Sequence, residues 1–139
     1  AWIGACRGDM TRTVMVGDPS PEQRRMLEVV TAAQAAGAAA IGPGVACRDI
    51  DAACRSVIVA AGWGDRFVHG TGHGVGLDIH EAPRVSAVSD ATLEPGFVVT
   101  VEPGVYIAPH GGVRIEDTVV VTETGCTVLT ASPKTLLVA

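Results

Sequence analysis

Apolar positions recur at two different periods along this chain, and the change of period divides it into a helical and a strand-rich part. Residues Gly8 to Gly17 alternate, with Asp9, Thr11 and Thr13 on one side and Met10, Arg12 and Val14 on the other, which predicts a strand. Gly17-Asp18-Pro19 stops it. Ser20-Pro21-Glu22-Gln23 then has the form of a capping box with proline at the first helical position, predicting a helix that runs to about Ile41. Met26, Leu27, Val30, Ala33 and Ala36 or Gly37 form its inner face. A second helix is predicted from Asp49 to Ala61, with Ile50, Ala53, Val57 and Ile58 at helical spacing, and Gly62 and Gly64 break it. From Phe97 the pattern is strand-like. FVVTVEP, GVYIA, VRIEDTVVVT and CTVLT read as short strands separated by Pro, Gly and His-Gly-Gly. Helices followed by strands predict an α+β domain, with the helices packed on one face of a curved antiparallel sheet.

One stretch fits neither period. HGTGHGVGLDIHEAP, His69 to Pro83, threads His69, His73 and His80 among Gly70, Gly72, Gly74 and Gly76. A glycine at every second position is unfavourable for a helix. It suits backbone that must approach another strand, a ligand or a metal closely. The plainer reading is a mobile surface loop with incidental histidines. A polar segment ending in a turn at Leu93-Glu94-Pro95-Gly96 follows it, and the opening AWIGACRG shows neither a helix start nor a complete hairpin.

At 139 residues the chain is one domain's worth, and no apolar run is long enough to span a membrane as a helix. A net charge of −5 and the lack of any Lys/Arg cluster exclude nucleic acid as the main partner. The four cysteines, Cys6, Cys47, Cys54 and Cys126, form no C-x-x-C pair and read as reduced thiols, which predicts a cytoplasmic location. No signal peptide is visible. The chain begins with Ala1 rather than Met, so its true beginning is expected upstream.

Three carboxylates stand where carboxylates are expensive. Glu102 follows the apolar run Val98 to Val101, Glu116 lies inside VRIEDTVVV, and Asp9 opens the TRT strand. An ionised carboxylate is costly to bury unless it is paired or metal-bound. For Glu116 the alternative is a plain surface pair with Arg114, which shares its face on a period-two strand. For Glu102 it is an exposed strand end before Pro103-Gly104. Asp9, Glu102 and Glu116 with one imidazole make an oxygen-rich set that suits Mn²⁺, Co²⁺ or Zn²⁺. A helical HExxH zinc site is excluded, because the glycines between His69 and His73 forbid the helix and the glutamate is missing. No G-x-S-x-G nucleophile elbow is present.

The motifs GDMTRT (8–13), HGTGHGVGLDIHEAP (69–83), VEPGVY (101–106) and GGVRIEDTVVVT (111–122), in this order, resemble the pita-bread metallopeptidases, and within them the Xaa-Pro aminopeptidase and prolidase branch. The resemblance implies a pita-bread fold and an exopeptidase that hydrolyses Xaa-Pro bonds with metal-activated water. It also implies two divalent ions, with Mn²⁺ expected and Co²⁺ or Zn²⁺ as alternatives. Their implied ligands here are Asp9, His73, Glu102 and Glu116, with Asp9 and Glu116 bridging. Glu102 is implied as general base, His80 as the group facing the scissile carbonyl and His69 as a wall of the substrate pocket. Arg114 and Thr11 would brace the carboxylates, and Asp78 would do so near His80 unless it faces solvent. The implied partner is a peptide with proline at its second position, and a homodimer is expected.

The family's first aspartate would fall just ahead of Ala1. Residues 1–139 are therefore expected to be the C-terminal portion of the catalytic domain, holding one metal well and a second poorly, with reduced activity and exposed apolar surface. The same resemblance leaves two alternatives: another hydrolase of this fold, such as a methionine aminopeptidase or a creatinase, and a non-catalytic peptide-binding member.

Overall fold

Helix α1 spans Pro21–Ala40 and begins as the capping box requires. The Gln23 amide donates to Ser20 Oγ (3.3 Å) and the Ser20 amide donates to Gln23 Oε1 (2.8 Å), satisfying two N–H groups at the helix entry. Met26, Val30, Ala33 and Gly37 are buried. Helix α2 spans Cys47–Ala60, starting at Cys47 rather than Asp49. Its cap, Ala46, makes no side-chain hydrogen bond to the helix. Instead the Cys47 amide donates to the Ala91 carbonyl (2.9 Å), and Ala46 forms a β-bridge with Thr92. That start is set by a distant segment, so no local signal marks it. The face that turns inward is Cys47, Ile50, Asp51, Cys54 and Ile58, whereas Ala53 and Val57 are only half-buried. The two helices pack tightly at Gly37, where an added Cβ would overlap Cys54 Sγ.

The computed structural model describes residues 2–135 and 137–138, with the side chains at 2, 3, 137 and 138 outside the description. Its strands are β1 (Trp2–Ile3), β2 (Cys6–Arg7), β3 (Val14–Met15), β4 (Gly72–Gly74), β5 (Glu81–Val85), β6 (Val98–Val101), β7 (Gly104–Ile107), β8 (Gly111–Arg114), β9 (Asp117–Val121), β10 (Cys126–Val128) and β11 (Leu137–Val138). A single 3₁₀ turn, Gly64–Arg66, follows α2. Five strands make an antiparallel sheet in the order β10-β9-β6-β4-β5. β7 and β8 form an antiparallel ribbon, β3 and β11 pair in parallel, and β1 pairs with β2. The architecture is α+β, as the two periods predict. Val99 and Val101 of β6, Val85 of β5 and Val119 and Val121 of β9 join the helices in one core.

Four local expectations are corrected. AWIGACRG does contain a short hairpin, β1-β2. The strand expected over Gly8 to Gly17 shrinks to Val14–Met15, because Thr11 makes only one isolated bridge, to Glu116, and no continuous ladder runs beside it. VRIEDTVVVT is two strands, broken at Ile115 and Glu116 where the chain passes from the β7-β8 ribbon into the five-stranded sheet. The polar segment after Pro83 begins inside β5.

The Gly-rich stretch is not simply a surface loop, although residues 75–80 are neither helix nor strand. It supplies β4, a strand inside the sheet, flanked by β5 and β6. A Cβ on Gly72 would overlap the Thr100 carbonyl, and one on Gly74 would overlap the Ala82 carbonyl. The alternating glycines are the space through which the neighbouring backbones pass.

Candidate metal centre

Period-two alternation on β6 decides where the chemistry sits. Val99 and Val101 turn to the helices, so Thr100 and Glu102 turn the other way, across from His73 on β4. Thr100 Oγ1 accepts from the His73 amide (3.1 Å) and donates to Glu102 Oε1 (3.2 Å), locking the two residues together. His73 Nε2 lies 3.2 Å from Glu102 Oε1 and 3.7 Å from Asp9 Oδ2. At its other nitrogen, His73 Nδ1 is 3.0 Å from the Gly74 carbonyl, which can only accept. That contact puts the proton on Nδ1, so in the neutral ring the Nε2 lone pair points at the carboxylates.

Glu116 reaches the same place from the break between β8 and β9. It is 2% exposed, which rules out the plain surface pair with Arg114. Its Oε2 accepts a very short hydrogen bond from Thr11 Oγ1, while its Oε1 is buried with no hydrogen-bond partner. A buried carboxylate oxygen without a donor is rare in a stable fold, and it fits an atom that receives a cation. Ligand atoms of His73, Glu102 and Glu116 lie within 4.8 Å of one another, as do those of Asp9, His73 and His80. His73 belongs to both sets. This donor set, one imidazole and three carboxylates with His80 alongside, suits a hard or borderline divalent ion.

Proton affinities reflect the crowding of negative charge. At Glu116, burial pushes the pKa up, and Glu102 and Asp9 add to that against the Thr11 hydrogen bond and Arg114; the result is upward. At Glu102, burial also pushes up, but the hydrogen bond and charge of His73, then Thr100 and Arg114, pull the pKa below its ordinary range. At His73, burial pushes down, yet Glu102, the Gly74 carbonyl and Asp9 outweigh it and raise the pKa. The same carboxylates that raise the His73 pKa and burden Glu116 form a concentration of negative charge that suits a cation.

The remaining expected residues fall around this cluster. The His80 ring sits 4.2 Å from that of His73, centroid to centroid, and is exposed at the rim. His73 and His80 line a cavity of about 620 Å³ with Glu81, Ala82 and Arg84. His69 stands apart from the carboxylates. Its Nδ1 donates to the Gly70 carbonyl (2.8 Å), and Tyr106 Oη donates to its Nε2 (3.0 Å). Arg114 Nε donates to Thr11 Oγ1 (3.2 Å) and lies 3.9 Å from Glu102 Oε2, so Arg114 and Thr11 brace both glutamates. Asp78 is exposed.

Several positioning groups escape the sequence reading. Arg12 Nη1 donates to the carbonyls of Thr11 (2.8 Å) and Glu116 (2.6 Å), fastening the bridge that carries Glu116. Its Nη2 pairs with Asp117 Oδ1 (2.8 Å), and fully buried Asp117 also receives Lys134 Nζ (2.6 Å) and Gln34 Nε2 (3.0 Å). The partners lie far apart in sequence, so no spacing rule reveals them. Tyr106 was readable only as a strand residue.

Comparison with known proteins agrees with this geometry. The model of metallopeptidase family M24 matches residues 3–123. The chain belongs to the M24 metallopeptidase family. Among M24 relatives, an uncharacterized peptidase of Bacillus subtilis is 53% identical over 135 residues, covering 97% of this chain and 38% of that protein. The Xaa-Pro dipeptidase of Pyrococcus furiosus is 47% identical over 129 residues, covering 93% of this chain and 37% of that protein. The solved structure of the Xaa-Pro dipeptidase from Bacillus anthracis superposes with a TM-score of 0.94 at 47% identity, covering 97% of this chain and 38% of the other. The M24 chain described here thus has the pita-bread fold of prolidase structures over part of their length, and spans under two-fifths of the relatives it matches. M24 enzymes depend on metal, which the donor set gathered around His73 and Glu116 suits. Among the described residues, no helix is long and apolar enough to cross a membrane.

Proposed function

We propose that this chain contributes the metal-binding part of an exopeptidase that hydrolyses Xaa-Pro bonds, with Asp9, His73, Glu102 and Glu116 as ligands. The observation that carries the reading is that Glu116, whose Oε1 is buried without a hydrogen-bond partner, has a ligand atom within 4.8 Å of those of His73 and Glu102. Support for the substrate class comes from the Xaa-Pro dipeptidases among the M24 relatives. A divalent ion held there supplies Lewis acidity and lowers the pKa of a bound water.

The chain's own side chains do the rest. Glu102, ionised because of His73 and Thr100, accepts the proton of the attacking water at its carboxylate. His80, at the cavity rim, donates to the oxygen on which charge develops. His69, steadied by Tyr106, forms a wall of the peptide site. Arg84, opposite His73 in the β4-β5 register, gives the cavity a fixed positive charge that suits a peptide carboxylate. Manganese is the proposed ion, with cobalt or zinc compatible with the same donors.

The test is hydrolysis of an Xaa-Pro dipeptide by the protein containing this chain, with Mn²⁺ and then with a chelator. Free proline released only in the metal-loaded sample is expected, with little turnover of a dipeptide lacking proline. Equal hydrolysis in the chelator, or none with Mn²⁺, Co²⁺ or Zn²⁺, overturns the reading.

A further inference from the structure

Helix α2 carries a charge in the middle of its apolar face. Asp51 is fully buried and accepts from Arg55 Nε (2.8 Å) and Nη2 (3.1 Å) one turn away. A surface pair at this spacing would matter little, but this one reaches beyond its helix. Arg55 Nη1 donates to the Phe67 carbonyl (2.9 Å) and Nη2 donates to the His69 carbonyl (3.1 Å). The guanidinium also lies 4.2 Å over the Phe67 ring, which stands nearly perpendicular to the His69 ring with centroids 5.1 Å apart. Asp51 Oδ1 accepts from Thr71 Oγ1 (2.9 Å), and the Thr71 carbonyl accepts from the Glu102 amide (2.7 Å).

Residues 67–71 lie between the 3₁₀ turn and β4, so the Phe67 and His69 carbonyls have no sheet ladder to occupy them. Gly70 and Gly72 flank this segment's end and add no side-chain packing of their own. We propose that Arg55, held by buried Asp51, is the positioning residue that fixes the His69–Thr71 backbone and so sets the reach of His69 toward a bound peptide. The inference rests on the reading of His69 as a wall of the peptide site. Arginine is required rather than any cation. Its planar fork serves a carboxylate and two carbonyls at once, whereas a lysine ammonium offers no such fixed geometry.

The experiment compares wild type with Arg55→Met and Arg55→Lys in the full protein, reading amide hydrogen exchange, Mn²⁺ titration and the KM–kcat split on an Xaa-Pro peptide. Arg55→Met should speed exchange at 67–71 on the order of tenfold relative to α1 and raise KM by a similar factor. Mn²⁺ affinity should stay within about twofold, because none of the proposed ligands contacts Arg55, and Arg55→Lys should fall between the two. If Arg55→Met does not fold, Arg55→Lys alone carries the comparison. Unchanged exchange at 67–71, exchange that rises evenly over the whole chain, an unchanged KM, or a lysine variant equal to wild type overturns the proposal. If wild type hydrolyses no Xaa-Pro peptide, the functional reading fails, while the exchange arm still decides whether Arg55 holds this segment.

Discussion

Replacing His73 with alanine is expected to lower kcat/KM on an Xaa-Pro peptide by about a thousandfold, the scale reached when a group that stabilises developing charge is lost. His73 is shared by both ligand sets, and its Nε2 is oriented by the Gly74 carbonyl before any ion arrives. Without it, the remaining carboxylates repel one another with no imidazole between them. The fold should survive, because β4 pairs with its neighbours through backbone, and His73 is only half-buried. A calorimetric Mn²⁺ titration beside a thermal melt separates the two effects. Weakened Mn²⁺ binding with a nearly unchanged melt is the expected pair of results, and undiminished Mn²⁺ affinity in His73→Ala contradicts the assignment.

Glu116→Gln should move stability and metal binding in opposite directions. The glutamine amide oxygen keeps the acceptor that Thr11 uses, and the substitution removes a buried charge whose second oxygen has no partner. Burial, then Glu102 and Asp9, raise the Glu116 pKa in the fold above its ordinary value of 4.5. A raised acid favours the protonated fold, so its contribution to stability is fully present below the unfolded pKa and is lost as pH rises through the folded one. Glutamine does not titrate. In the metal-free protein, the variant should therefore gain on wild type in melting temperature as pH rises above the ordinary glutamate value of 4.5. With Mn²⁺ added the order should reverse, since wild type gains stability from the bound ion. Mn²⁺ affinity of the variant should drop by at least about 100-fold, more than the loss of a residue that only supports a ligand. A variant less stable than wild type at high pH without metal would show that Glu116 is satisfied by contacts within the chain.

What could be read in advance follows from how local each determinant is. The capping box at Ser20 acts within a single turn, and α1 begins there. The alternating glycines announce a close backbone approach, and the overlaps at Gly72 and Gly74 show which carbonyls approach. Glu102 was legible because a carboxylate closing an apolar strand needs a partner. The break between β8 and β9 was hidden, because VRIEDTVVV keeps its alternation through residues that leave one sheet and join another. Period-two reasoning still placed Arg114 and Glu116 together: both bond to Thr11. Asp51 and Arg55 carry a spacing that on sequence alone means a helix-surface ion pair, and only burial shows the reach to Phe67 and His69. Arg12, Asp117 and Lys134 meet through tertiary contacts that leave no pattern along the chain.

The most direct test of the metal assignment is anomalous diffraction from crystals of the protein grown with Mn²⁺. The account predicts a manganese peak within direct bonding distance of His73 Nε2 and of carboxylate oxygens of the Asp9, Glu102 and Glu116 group. A well-occupied peak elsewhere, with His73 Nε2 still paired to Glu102 Oε1, would contradict it.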